Sequence, residues 1–451
     1  MTLQLDHKHV LVLGLGETGL SCLRWLARQG AVLSVADTRE APPQLAQVRA
    51  ELPQLTVHLG PFTAAAFVGI DLVVASPGVP LAEPQVQAAL ARGIPVVGDV
   101  ELFARYKPAG AKVIAITGSN GKSTVTTLVG EMCLQAGLKT VVAGNIGLPV
   151  LDAIDAAADV YVLELSSFQL ETTMSLVPDA ATVLNVTEDH MDRYAGLADY
   201  AAAKARIFHG RGVQVLNRED EWSRGMAMSG RAMVSFGTDA PQGEQDYGLV
   251  EADGRLWLAQ GARKLLDTAE MRIAGLHNAA NALAALALCR AIGLELPPLL
   301  QSLREFKGLP HRVEWVAEVG GVSYYDDSKG TNVGATCAAL AGMPCKVVLI
   351  AGGDGKGQEF APLREPVLRN ARAVVLIGRD APLIEQVLAG GHVPLLHAAT
   401  MEQAVQQAAS VAQAGDAVLL SPACASWDMF RNYAHRAEVF IAAVRELEAA
   451  A

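Results

Sequence analysis

The stretch Val113-Ile114-Ala115-Ile116-Thr117-Gly118-Ser119-Asn120-Gly121-Lys122-Ser123-Thr124 decides how the rest of the chain is read. Val113 to Ile116 is a short apolar run of the kind that forms a buried parallel strand. Gly118 and Gly121 allow a tight turn that aims backbone amides at phosphate oxygens. Lys122 is placed to reach the β- and γ-phosphates and the Ser123 hydroxyl to ligate Mg²⁺. The helix starting there adds the positive end of its dipole. Gly118, Ser119, Asn120, Gly121, Lys122, Ser123 and Thr124 are thus the candidate ATP-binding set. The fit to GxxxxGK[ST] is incomplete, since its first Gly falls at position 116, which is Ile. An ordinary strand-to-helix turn is the alternative, and the preceding strand favours the phosphate loop.

Working outward, the same unit recurs: an apolar run, then Gly, Ser, Asn or Asp, then a helical pattern. His9 to Leu13, Val32 to Ala36 and Asp71 to Ala75 form a first series. A second contains Val113 to Thr117, Thr140 to Ala143, Val160 to Leu165 and Ala181 to Val186, and closes with a helix over 278–292. A third contains Val322 to Tyr325, Lys346 to Ala351, Ala373 to Ile377 and Ala417 to Leu420. The alternation predicts an α/β fold of three domains with mainly parallel sheets. The first reads as Rossmann-like (1–106), the second as P-loop ATPase-like (107–309) and the third as Rossmann-like (310–451). Hinges fall near Tyr106 to Gly110 and Phe306 to Pro310, and 217–271 reads as a strand-rich insertion in the middle domain.

In open parallel sheets, ligands sit beyond the carboxyl ends of the strands. The run ending at Glu164 and the run leading to Thr187-Glu188-Asp189-His190 bring a carboxylate and an imidazole to that rim. Either can hold Mg²⁺ against nucleotide phosphates, or simply cap a helix or make a structural hydrogen bond. Lys204, in a helical stretch of small residues, reads by spacing alone as a solvated helix lysine. Gly14-Leu15-Gly16-Glu17-Thr18-Gly19 follows a strand and precedes a helix, and Asp37 ends the next strand, which satisfies the dinucleotide fingerprint in its proper context.

With 451 residues, length alone gives a prior of about three domains at ~150 residues each. Apolar residues make up 51% and charged residues 18%, which excludes intrinsic disorder. The net charge of −11, without a Lys/Arg block, excludes the electrostatic footprint of a nucleic-acid binder. The six cysteines are scattered with no CxxC pair, which suits a reducing compartment. No apolar run approaches the ~20 residues of a bilayer span, so a cytoplasmic protein without membrane insertion is expected.

Several motifs in register resemble the Mur ligase family. They are the loop at 117–124, Glu164-Leu165-Ser166-Ser167-Phe168-Gln169-Leu170-Glu171, Asn185 to Tyr194 and Gly275-Leu276-His277-Asn278. Tyr325 to Asn332, Gly352-Gly353-Asp354-Gly355-Lys356-Gly357 and Ser421 to Ser426 continue the set. The resemblance implies a step of peptidoglycan precursor synthesis, in which ATP is used to join D-glutamate to UDP-N-acetylmuramoyl-L-alanine through an acyl phosphate. It implies catalytic roles for Lys122, Glu164, His190, Lys204 and Lys329. One Mg²⁺ is then held by Ser123 and Glu164, and a second by His190 and Lys204. Because an ammonium cannot ligate a metal, Lys204 serves as a CO₂-derived carbamate.

On the same likeness Asn278, Asn281, Arg312 and Asp327 contact ATP. Glu17, Thr18, Thr38, Arg39, Ser76 and Gly78 meet the UDP moiety, and Asn145 and His190 meet the acceptor beyond it. Thr331, Lys356, Ser426 and Tyr433 hold D-glutamate, with Tyr433 equally readable as core packing. The chain has no Asp-Asn-Pro-Arg box of the kind linked to diaminopimelate users. Three domains around one reaction suggest that the third swings about Lys307 to Pro310 when ATP and substrate bind. An NAD-dependent oxidoreductase and a nonenzymatic nucleotide switch are the rival classes. The first has no need of a second phosphate loop.

Overall fold

The computed structural model describes residues 4–273 and 275–450. Three sheets carry the chain. In the first, β1 (His9–Leu13), β2 (Val32–Asp37), β3 (Thr56–Leu59), β4 (Leu72–Ala75) and β5 (Val96–Val97) are arranged β3-β2-β1-β4-β5. All its pairings are parallel. The order reverses between β1 and β4, the switch point at which such sheets open a ligand crevice. Leu11 and Leu13 pack with Phe67, Val73 and Val86 on one face. Val10 and Val12, pointing the other way, are equally buried, as the period-2 alternation of a two-sided sheet requires.

The second sheet uses β6 (Lys112–Thr117), β7 (Thr140–Gly144), β8 (Val160–Glu164), β9 (Ala180–Val183), β10 (Val213–Asn217), β11 (Met233–Phe236), β12 (Tyr247–Ala252), β13 (Arg255–Gln260) and β14 (Arg263–Asp267). Their order is β14-β13-β12-β11-β10-β9-β6-β8-β7. The stretch read as an insertion is indeed strand-rich, but it extends this sheet. β11 and β12 join in parallel, and only then does β13 turn back antiparallel.

The third sheet orders β15 (Glu314–Val319), β16 (Val322–Asp326), β17 (Val347–Gly352), β18 (Ala371–Ile377), β19 (Leu395–His397) and β20 (Ala417–Leu420) as β15-β16-β20-β17-β18-β19. Only the edge strand β15 runs antiparallel. Val347, Leu349, Val374 and Leu419 face one helical layer. Val348, Ile350, Val375 and Val418 face the other. The near-continuous apolar runs of these strands follow from burial on both faces.

Two compact bodies result. One contains the residues up to Asn185 with Ala198–Leu266 and Ala282–Leu303. The other contains Val186–Leu197, Asp267–Asn281 and the chain from Arg304. Among the described residues no helix is long and apolar enough to cross a membrane.

Candidate functional site

In the first body, β6 lies between β8 and β9, with Ile116 opposite Glu164 and Thr117 opposite Val183. The loop leaving β6 is therefore flanked by Glu164 on one side and by Leu184-Asn185 on the other. Gly118 has φ 154, and a Cβ there would meet the Leu184 Cβ at 3.0 Å. Gly121, at φ 82, is the left-handed N-cap of helix Lys122–Gln135. Asn185 clamps the loop. Its carbonyl accepts from Ser119 N at 2.9 Å and its side-chain oxygen from Asn120 N at 2.8 Å. Its Nδ2 donates to the Asn120 carbonyl at 3.1 Å. Lys122 Nζ lies back over the loop, donating to the carbonyls of Gly118 (2.8 Å) and Ser119 (2.9 Å). Ser123 and Thr124 are buried in the first helical turn.

Glu164 is 1% exposed. Its Oε1 accepts from Asn145 Nδ2 at 2.7 Å, while its Oε2 is buried with no hydrogen-bond partner among the described residues. Gly144 makes this approach possible, since a Cβ there would stand 2.2 Å from the Glu164 carbonyl oxygen. A buried carboxylate oxygen left without a donor is costly. A divalent cation relieves that cost, so Glu164 with the nearby loop fits Mg²⁺.

Lys204 departs from the solvated lysine that its spacing suggests. It is 1% exposed, donates to the Gly118 carbonyl at 2.9 Å and lies 4.2 Å from the centre of the Tyr200 ring. Its amino group is thus delivered to the back of the phosphate loop.

At the switch point of the first sheet, Gly14 turns the chain at φ 86 into helix Glu17–Arg28. Ser76 Oγ donates to the Gly14 carbonyl at 3.1 Å, so the turns carrying Glu17-Thr18 and Ser76-Gly78 lie side by side. Asp37 is not available to a ribose as the dinucleotide reading requires. Its oxygens accept from Leu15 N (2.7 Å), Arg39 N (2.9 Å) and the Arg39 guanidinium (2.9 and 2.7 Å). Burial raises its pKa, but these donors outweigh that and hold it at about 2. Thr38 and Arg39 are exposed just beyond it.

β9 ends at Val183, short of the Val186 that the apolar pattern suggests, where its neighbour β6 turns into the loop. His190 consequently belongs to the second body, beside Asp189 at 3.7 Å. Asp189 also forms an ion pair with Lys356. His190 and Lys356 have left-handed backbones, φ 58 and 51, a strain found preferentially at functional sites.

The same body gathers the loops after β16, β17 and β20. Asp327 N donates to the Leu420 carbonyl (2.8 Å) and Gly352 N to that of Pro422 (2.8 Å), while Asp354 and Ala425 exchange two backbone bonds (2.9 and 2.7 Å). These bonds bring the loops carrying Asp327, Lys329, Lys356 and Ser426 to one rim. Lys329 Nζ stands 3.9 Å over the Tyr433 ring, so this aromatic faces a cation and is not core packing. Asn281 Nδ2 lies 3.4 Å from Asn278 Oδ1.

Burial pushes the Asp327 carboxyl up to about 7, against the Ser421 hydroxyl at 2.6 Å and the Arg312 charge. Burial, then the same Arg312 charge, depresses His277. Arg312 is thus felt on both the 275–281 and the 326–331 segments.

Two residues had no role in the sequence reading. Asn185 was legible only as part of a motif. Arg436, 1% exposed, donates to Ser328 Oγ (3.0 Å), Ser328 O (2.8 Å) and Cys424 O (3.0 Å), and burial lowers it to about 10. It ties the Lys329 loop to the Ser426 loop, and nothing in helical periodicity marks it.

Three family descriptions match consecutive parts of the chain. They are "Mur ligase MurD-like, N-terminal domain" at 8–98, "Mur ligase middle domain" at 116–289 and "Mur ligase, glutamate ligase domain" at 311–424. A protein of Methylobacillus flagellatus named UDP-N-acetylmuramoylalanine–D-glutamate ligase is 68% identical over 99% of this chain and 98% of its own. One of the same name from Thiobacillus denitrificans is 58% identical over 99% and 98%. Among solved structures, the UDP-N-acetylmuramate–alanine ligase of Thermotoga maritima matches with a TM-score of 0.62 and 19% identity over 98% of this chain and 100% of that one. MurF from Acinetobacter baumannii matches at 0.61 and 17%, covering 94% and 90%, and at such identities both speak to the fold alone. Matched from end to end at this level of identity, the chain belongs to the Mur ligase family.

Proposed function

We propose that the chain joins D-glutamate to UDP-N-acetylmuramoyl-L-alanine with hydrolysis of ATP to ADP and phosphate, a step of peptidoglycan precursor synthesis. The observation that carries the chemistry is the buried, donor-free Oε2 of Glu164 one strand from a phosphate loop. The near full-length likeness to proteins named for D-glutamate ligation supports the choice of substrates.

The first sheet's switch point receives the UDP moiety. Amides at the Glu17-Thr18 turn meet the diphosphate, Thr38, Arg39, Ser76 and Gly78 flank the uracil, and residues 1–106 form this domain. In residues 107–309 the amides of 118–121 and the Lys122 ammonium hold the β- and γ-phosphates and offset their charge as the acceptor carboxylate approaches. Mg²⁺, when bound at Ser123 and Glu164, supplies Lewis-acid stabilisation of the phosphoryl oxygens.

Attack of the acceptor carboxylate on the γ-phosphorus expels ADP and leaves an acyl phosphate. The D-glutamate amine then adds to the acyl carbon, loses a proton, and phosphate departs. Residues 310–451 present D-glutamate through Thr331, Lys356, Ser426 and Tyr433, with Lys329 on the phosphate side. Lys356 already faces a carboxylate, that of Asp189, which suits it to an acidic substrate. Asn278, Asn281, Arg312 and Asp327 take the rest of ATP. The role of His190 as metal and acceptor ligand is carried by the resemblance alone.

Lys204 works as its carbamate, an anion facing the loop, and CO₂ is therefore required. We place the enzyme in the cytoplasm, where nucleotide-linked precursors and ATP are found.

Coupled ADP release tests this reading, measured over a panel of L- and D-amino acids with UDP-N-acetylmuramoyl-L-alanine. D-glutamate should be the only efficient partner. Lys204→Ala should lose ~10³-fold of the activity and regain part of it with short carboxylic acids. Equal rates with L-alanine or a diamino acid would overturn the specificity, and a fully active Lys204→Ala would overturn the carbamate.

A further inference from the structure

We propose that Asp99 and Glu101 are positioning residues that set the Glu164 metal ligand from the end of the first domain. The proposal rests on reading Glu164 as that ligand. Both carboxylates lie in the first turn of helix Asp99–Tyr106, and they are 2% and 0% exposed, although charged residues there ordinarily face water.

They hold the two ends of one short segment. Asp99 Oδ2 accepts from Gln169 Nε2 at 3.4 Å. Gln169 Oε1 in turn accepts from Ser166 N at 3.1 Å, and Gln169 N donates to Ser166 Oγ at 3.2 Å. This reciprocal capping box starts helix Ser167–Glu171 three residues after Glu164 and fixes the Leu165-Ser166 turn that follows that carboxylate at the end of β8. At the far end Glu101 Oε2 accepts from Met174 N and Ser175 N, both at 2.7 Å. Its Oε1 accepts from Ser175 Oγ and from Arg105 Nε.

Gly98 lets the helices meet. Its N donates to the Thr172 carbonyl at 3.4 Å, and a Cβ would stand 2.3 Å from Thr172 Oγ1. Glu101 alone receives four donors, more than capping its own helix requires. The arrangement therefore makes 164–175 a strut braced by the UDP-side domain.

The test reads Mn²⁺ affinity by electron paramagnetic resonance on the full chain with a non-hydrolysable ATP analogue, together with amide exchange of 165–175. Asp99→Ala and Glu101→Ala should each weaken Mn²⁺ about tenfold, the first speeding exchange at Ser166 and Gln169 and the second at Met174 and Ser175. Asp99→Asn, which keeps an acceptor oxygen for the single Gln169 bond, should stay within twofold. Gly98→Ala, which touches neither carboxylate, should reproduce the Ala phenotype and covers the case in which an Ala variant fails to fold. Fast exchange with unchanged Mn²⁺ affinity would reduce the pair to a structural role and overturn the proposal. Absence of Mn²⁺ binding in the wild type would instead sink the reading of Glu164 itself.

Discussion

Glu164→Gln should lower kcat by about 10³-fold, about 4 kcal/mol of transition-state stabilisation, without lowering the melting temperature of the metal-free protein. The Gln side-chain oxygen can still accept from Asn145 Nδ2, now at 2.7 Å from Glu164 Oε1. What disappears is the negative charge at Oε2, which no protein donor meets among the described residues. A carboxylate kept for structure would have such donors, and its replacement would loosen the fold before it touched turnover. Steady-state ADP formation and a melting curve in the presence of a chelator separate the two cases. A Gln variant within fivefold of wild-type kcat, or one that melts well below it while losing activity in proportion, contradicts the metal-ligand role.

The second large effect is a pH dependence of stability lodged at Asp327. Burial raises this carboxyl to about 7, with the Ser421 hydroxyl and Arg312 pulling the other way and Asp326 adding to the rise. The unfolded chain ionises near 3.9, so the folded protein holds a proton that the unfolded one has lost. Stability from this group is complete below about pH 4 and is lost as pH rises through 7. Between pH 5 and 8 the loss is of the order of 2–3 kcal/mol. His277, depressed by burial and Arg312, and Asp99, raised by burial to about 6, also bind protons differently in the folded and unfolded chain. The quantity to follow is therefore the difference between wild type and Asp327→Asn in urea unfolding. That difference should shift in favour of the variant by 2–3 kcal/mol from pH 5 to 8. A difference constant within about 0.5 kcal/mol would mean that Asp327 is not held protonated by its surroundings.

The strands that carry the site were readable because burial on both faces writes a plain apolar run. β1 and β20 have the bounds expected, and the runs leading to Glu164 and Asp326 err by a residue. Where reading failed, pairing rather than propensity decided. Val-Leu-Asn-Val at 183–186 continues the pattern, yet β9 stops at Val183, where its neighbour turns away as the phosphate loop. β3, β5, β15 and β19 went unread because they are edge strands or only two to three residues long, and β15 leaves Trp315 56% exposed.

At the site, the glycine turn after β6 and the placement of Glu164 beside it were legible from local chemistry. Asn185, Arg436, Asp99 and Glu101 were not, because each acts across a long sequence separation on backbone or side-chain groups that only the fold brings near. Asp37 shows the converse. It satisfies the sequence fingerprint for ribose binding, but Leu15 and Arg39 occupy both of its oxygens. Lys204 shows it again. Small neighbours that suggest an exposed helix face instead let that helix bury its lysine against Gly118.

The central claim is that the groups around the phosphate loop turn the acceptor's carboxylate into a phosphorylated electrophile. Oxygen-18 placed in that carboxylate tests it most directly, with mass analysis of the inorganic phosphate released after turnover with ATP and D-glutamate. One labelled oxygen per turnover should appear in the phosphate. Unlabelled phosphate, with both heavy atoms retained in the acceptor and its product, would contradict the account.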